Sequence, residues 1–256
     1  MSRPSQRVKI TVEYDGRGYA GWQRQADQST VQGVLEAAAE KLDGNPVTIQ
    51  GAGRTDAGVH ATGQVAHFDL SKERPIRKVA DALNFHLRPE RVAVLKAEAV
   101  GPDFNARFSA RGRAYRYLMV NRRADLALDR GRAWRVPQHL DVNLMHDAAQ
   151  CLVGLHDFST FRDAECQAKT PVKTLDAIAL ERIGDSVELT VSAPSFLHRQ
   201  VRSIVGSLVE IGRGARPANW LDDILNARDR SCCGPVAPAD GLYLEQVIYP
   251  AEDGPT

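Results

Sequence analysis

The chain reads as a mixed α+β protein built of two halves, each running β-α-β-β-α-β. Three observations predict this. Stretches that alternate apolar and polar residues recur in both halves. Segments of helical apolar spacing separate them in the same order. Each half also has a turn signal at its centre, at residues 51–60 in the first and at Gly184-Asp185 in the second.

Residues 8–14, "VKITVEY", alternate like a half-buried strand. Ser29 with Gln32 has capping-box spacing, and Val31, Val34, Leu35, Ala38 and Leu42 then follow a helical face. "PVTIQGA" (46–52) and "GQVAHFDL" (63–70) read as strands flanking the central turn. Ile76, Ala80, Leu83 and Leu87 mark a second helix, and "RVAVLKAEAV" (91–100) a closing strand. The second half opens with "AYRYLMV" (114–120) as a strand. Val142, Met145, Ala149 and Leu152 mark a helix. "TLDAIALERI" (174–183) and "SVELTVSA" (186–193) form a predicted hairpin. Residues 196–212 read as one helix, 219–228 as a shorter one, and "GLYLEQVIYP" (241–250) as the last strand. The repeat predicts two ferredoxin-like halves, a fold shared with the RNA-recognition module. The junction is expected at "GPDFNA" (101–106), giving domains 1–105 and 106–256.

A chain of 256 residues is long enough to bury a proper core. With 43% hydrophobic and 25% charged residues it has ordinary globular composition. No apolar run approaches the roughly 18 residues of a membrane span, and the N-terminus has no export signal, so a cytoplasmic location is expected. Cys151, Cys166, Cys232 and Cys233 contain no C-x-x-C pair and read as free thiols. Net charge is only +1, whereas a protein gripping nucleic acid by bulk positive charge is usually more basic. Locally the picture differs. Nine arginines lie between Arg107 and Arg135, against Asp125 and Asp129 alone. The run reads equally as a phosphate grip or as a solvated face.

The turn "GAGRTDAGVH" (51–60) carries the chemistry. Its glycine spacing, followed by a strand, does not fit a dinucleotide fingerprint, and it lacks the Gly-Lys-Ser/Thr of a phosphate loop. Asp56 and His60 lack a third neighbouring metal ligand. A Gly-punctuated turn in which Asp56 caps its own backbone is the plain structural alternative. The functional reading makes Asp56 a reactive carboxylate, kept ionised by Arg54 two residues away. The glycines would let a bulky ligand approach the backbone. A lone carboxylate suits chemistry at a glycosidic carbon, whereas ordinary glycosidases use two.

This turn resembles the active-site motif of the tRNA pseudouridine synthase A (TruA) family, G-R-T-D-x-G-V-H. "YDGRGYAGWQRQ" (14–25), "FNARFSARGRAYRY" (104–117), "DFSTFR" (157–162), "FLHRQVRSIVG" (196–206) and "GLYLEQVIYP" (241–250) resemble further blocks of that family in order. Two positions depart from it: Gln200, where a Met is common, and Arg88, inside what is usually Leu-Pro. The resemblance implies a pseudouridine-synthase fold with a central, mainly antiparallel sheet and the active-site cleft between the halves. It implies isomerisation of uridine to pseudouridine in the anticodon arm of tRNA, at positions 38, 39 and 40. Asp56 matches the catalytic aspartate, which either attacks ribose C1′ or removes a 2′ proton. Arg54 would orient it. Tyr115 matches the active-site tyrosine, able to stack on uracil or act as a base at C5. Arg202 would pair with Asp56 or a phosphate. Trp22 and Gln23 are candidates for the RNA surface, with a buried Trp the alternative. No cofactor is implied, since the isomerisation passes no electrons to a carrier, and no metal. The implied partners are tRNA and a second subunit in a homodimer, not DNA or a membrane. The rival classes are a non-catalytic RNA-binding module and a nucleoside or glycoside hydrolase.

Overall fold

The computed structural model describes residues 6–250. The chain forms two compact units, one running to Arg111 and resuming at Leu244, the other spanning Gly112–Tyr243.

The first unit holds β1 (Gln6–Tyr14), α1 (Val31–Asp43), β2 (Gln50–Gly51), β3 (His60–Leu70), α2 (Ile76–Leu87) and β4 (Val92–Val100). β1 is the central strand, antiparallel to both β3 and β4, with Ile10 opposite Ala66 on one side and Ala97 on the other. That position explains its alternation: Val8, Ile10, Val12 and Tyr14 are all buried. Arg7 and Asp69, direct partners in the β1–β3 ladder, form a two-pronged ion pair at 2.7 and 2.8 Å.

Local details differ from the sequence reading. The cap of α1 is Thr30, whose Oγ1 accepts from Gly33 N, rather than Ser29. Gln32 instead uses its Nε2 to reach Ile49 O, while Glu36 Oε1 accepts from Ile49 N. These two α1 side chains satisfy the backbone of residue 49, so the strand expected over 46–52 shrinks to Gln50–Gly51. α2 buries Val79, Leu83 and Leu87. Arg88, the departure noted above, precedes Pro89 across a cis peptide bond.

The second unit holds β5 (Gly112–Val120), β6 (Trp134–Arg135), α3 (Val142–Ala149), β7 (Gly154–Asp157), β8 (Val172–Leu175), β9 (Ala177–Ile183), β10 (Ser186–Ala193), α4 (Gln200–Gly212) and α5 (Trp220–Ala227). β5, β10 and β9 lie side by side and antiparallel, and β7 with β8 forms a separate ribbon. The single strand expected over 174–183 is therefore two. Leu175 pairs with β7, and Asp176 breaks the run by donating its N–H to Ser192 O. The helix expected from residue 196 begins at Gln200, because Arg199 takes a left-handed conformation (φ 57°). Gln200, buried, closes that turn by accepting Leu197 N–H at 2.8 Å.

A final strand, β11 (Leu242–Ile248), starts in the second unit and continues into the first. Within the first unit the strand order is β4-β1-β3-β11. The chain past residue 105 also stays with that unit up to Arg111. Ala106 N donates to His67 Nδ1, Tyr249 Oη donates to Ala106 O, and Arg111 N donates to Ile248 O. The boundary thus falls several residues after "GPDFNA", and the last strand does not belong wholly to the second half. Among the described residues, no helix is long and apolar enough to cross a membrane.

Candidate active site

Asp56 sits at the bend of the segment joining β2 to β3, and almost every residue around it is tied down. Ala52 N donates to Val65 O, and Gln64 Nε2 donates to Gly53 O at 2.9 Å. Thr55 is buried, with Oγ1 2.8 Å from Tyr14 Oη and its carbonyl accepting Trp22 N–H at 3.0 Å. Val59 N donates back to Asp56 O at 3.1 Å, across Gly58 in a left-handed conformation (φ 80°). His60 Nδ1 accepts Gly16 N–H at 3.0 Å.

Half of these ties come from residues 14–22, a segment the sequence flagged mainly by resemblance. Its own shape is set by ionic and buried polar groups. Burial opposes the charge of Asp15, yet the Arg17 side chain and backbone N–H overcome it and hold that carboxyl far below the usual range. Burial and the Glu90 carboxylate push the Tyr19 phenol up to about 12, so it stays a donor to Glu90 Oε2 at 2.7 Å. Two glycines of the segment lie hard against backbone. A Cβ on Gly16 would lie 2.6 Å from Val59 C, and one on Gly21 2.6 Å from Thr55 O.

Trp22 is not an RNA surface residue. It is 2% exposed, and Gly51 is glycine because a Cβ there would sit 2.5 Å from the indole. That reassigns one of the glycines expected to admit a ligand; a Cβ on Gly53 would meet nothing within 4 Å. Gln23 is exposed and links Arg54 to α1: Arg54 Nε donates to Gln23 Oε1, and Gln23 Nε2 donates to Gln32 Oε1. Asp56 itself is partly exposed.

In the second unit, Tyr115 and Tyr117 share a face of β5 but differ in environment. Tyr117 is fully buried, donates to Pro238 O at 2.7 Å, and packs edge-on against Trp134. Burial raises its phenol well above the ordinary value, with the Arg202 charge opposing. Tyr115 is partly exposed, and Phe196 meets its ring edge-to-face at 5.2 Å. Arg202, on the first turn of α4, donates Nε–H to Ala237 O at 2.8 Å. It is therefore a fixed side chain rather than a waving surface arginine.

The arginine run is partly an internal network. Arg116 pairs with Glu188 and lies over Tyr243, Arg135 pairs with Asp125, and Arg113 donates to Pro194 O. A group of possible ion ligands, Asp163, Glu165 and His198, lies elsewhere in this unit, with Asp163 already paired to Arg199 at 3.0 Å.

The sequence model of the tRNA pseudouridine synthase family matches residues 10–109 and 148–250. Arg54, Asp56 and Arg202 fall inside the matched segments and Tyr115 falls between them. A tRNA pseudouridine synthase A from Hyphomonas neptunium is 62% identical over 245 residues, covering 96% of this chain and 99% of that one. One from Maricaulis maris is 62% identical, covering 95% and 98%. One from Xanthobacter autotrophicus is 59% identical, covering 95% and 99%.

Proposed function

The chain belongs to the tRNA pseudouridine synthase family, and from that premise we propose that it isomerises uridine to pseudouridine in tRNA with Asp56 as its catalytic carboxylate. The bond from ribose C1′ to uracil N1 breaks, the base turns, and C1′ joins C5, which then loses its proton while N1 ends carrying one. Nothing is oxidised or consumed. Attack on C1′ and removal of the 2′ proton both require one ionised carboxylate held against the sugar.

The observation that carries this reading is the setting of Asp56. A single carboxylate stands at the bend of a turn whose neighbours are hydrogen-bonded at Ala52, Gly53, Thr55, Val59 and His60. Such immobility is what a group needs to meet one carbon atom in one geometry. Tyr115, held by Phe196 and partly exposed, supplies a ring for the uracil and a phenol for the C5 proton. Arg54 orients the sugar-facing carboxylate, and Arg202 engages a carboxylate or phosphate. The uridine must leave its helix to be reached. We place the target uridines in the anticodon arm, at positions 38, 39 and 40, the working form as a homodimer, and the location as the cytoplasm.

Tritium release from tRNA labelled at uracil C5 tests the proposal. Wild type should exchange the label while the base stays attached. A hydrolase would liberate free uracil, and a binding module would release nothing. Asp56→Asn should fold and bind tRNA yet turn over at less than about a tenth of the wild-type rate, because losing such a group costs orders of magnitude.

A further inference from the structure

Phe108 is 80% exposed, and it is not exposed for want of order. Its turn is bonded at every position. Asn105 Oδ1 accepts the N–H groups of both Arg107 and Phe108, at 3.0 and 3.1 Å. Ser109 N donates to Asn105 O, and Ser109 Oγ accepts Asn105 N–H. Ala106, fully buried, is fixed to His67 and Tyr249. None of these bonds uses the Phe108 side chain, so the turn would form equally well around a polar residue. A solvent-held ring here contributes nothing to the core.

Three further features say what the ring faces. The Arg107 guanidinium lies 5.6 Å from its centroid. An aromatic face beside an arginine is the pairing that takes unstacked bases of RNA loops and single strands. Its exposed chain neighbours include Pro102 and the charged Asp103, Arg107 and Arg111, and between residues 105 and 109 no second apolar side chain is exposed to make a protein-docking patch. The turn is also fastened beside the Asp56 loop, since Ala106 bonds His67 and His67 is the ladder partner of Gln50. Gln50 precedes Asp56 by six residues, a reach of at most about 20 Å. That is the length of roughly six nucleotides along one strand.

We propose that Phe108, with Arg107 beside it, is a base-stacking contact that grips the tRNA some nucleotides away from the target uridine. The proposal rests on tRNA being the substrate and adds a subsite to that reading.

The test uses the full chain and an unmodified tRNA transcript. Phe108→Ala should weaken binding about 5- to 100-fold, the loss typical of one stacked base. The log–log salt slope of binding should not change, because a neutral ring displaces no counterions. The loss should fall on Kd and KM rather than on kcat. Phe108→Trp should restore affinity, and tRNA should quench the added indole fluorescence relative to wild type. Wild-type affinity in Phe108→Ala, or no added quenching in Phe108→Trp, overturns the proposal. So does sedimentation showing that Phe108→Ala separates subunits, which would mean a second copy of the chain covers the ring. Failure of wild type to release tritium would instead overturn the underlying reading, leaving the affinity comparison to judge the subsite by itself.

Discussion

Gly16→Ala isolates the part played by the segment that holds the Asp56 loop. Gly16 is buried, and its backbone does not require a glycine conformation, so the added methyl acts only through space. A Cβ there would sit 2.6 Å from Val59 C and 2.9 Å from Gly58 C, with Val59 O nearer still. Ordinary contact begins at 3.4 Å, and all three obstacles are backbone atoms that cannot swing aside. To restore ordinary contact the two segments must part by more than about 1 Å. Parting them strains the Gly16 N–H bond to His60 and moves the end of the turn that begins at Asp56. Overpacking of this kind costs about 1–3 kcal/mol. Near a reacting centre a shift of about 1 Å costs roughly 10²-fold in rate. Calorimetry should therefore show a melting temperature lower by several degrees. Steady-state tritium release at saturating tRNA should show kcat reduced about 100-fold, far beyond what the residual unfolded fraction explains. Gly101→Ala, where a Cβ meets nothing within 4 Å, is the silent control. A Gly16→Ala enzyme that melts lower but turns over within about twofold of wild type would refute the reasoning, because the clamp would then support the fold without positioning Asp56.

Tyr115→Phe should bind tRNA normally and stall turnover if the phenol takes the C5 proton, while Tyr115→Ala should also lose affinity; near-wild-type rates in both remove the residue from the site. Neutralising Arg122 and Arg123 together should weaken binding of any tRNA and flatten the log–log salt slope by roughly 0.7 to 0.9 per lost phosphate contact. An unchanged slope in filter binding would mean that their work is internal, as the 3.8 Å approach of Arg122 to Asp185 permits. Burial raises the carboxyl of Asp43, but the Ser71 N–H and hydroxyl outweigh it and hold the group below its ordinary value. Stabilisation from Asp43 is thus complete above the unfolded value near 4 and disappears as pH falls through the lower folded value. Asp43→Asn should be less stable by about 1 kcal/mol at pH 7 and converge with wild type in acid. A gap that persists unchanged at pH 2 in denaturant titrations would contradict that assignment.

The amino-acid sequence by itself determined the order of the elements, because apolar periodicity is a local property and survives in any neighbourhood. β1, α2, β5 and β10 lie where alternation or helical spacing put them. It also singled out Asp56 and Arg54 as candidates, because both stand in one contiguous turn, and Arg202 only through its resemblance to a family block. Tertiary structure decided what periodicity cannot express. Whether residues 46–49 join a strand depended on Gln32 and Glu36 reaching Ile49 from α1. Whether residues 174–183 form one strand depended on two different sheets claiming the two ends. Tyr115 and Tyr117 are equivalent in sequence, and only the packing around Trp134 and Pro238 makes one of them core. The hold on Asp56 by Tyr14, Gly16 and Trp22 was illegible for the same reason. Hydrogen bonds across some forty residues leave no trace in local composition, and a glycine chosen to let one backbone touch another looks, in sequence, like any glycine in a turn.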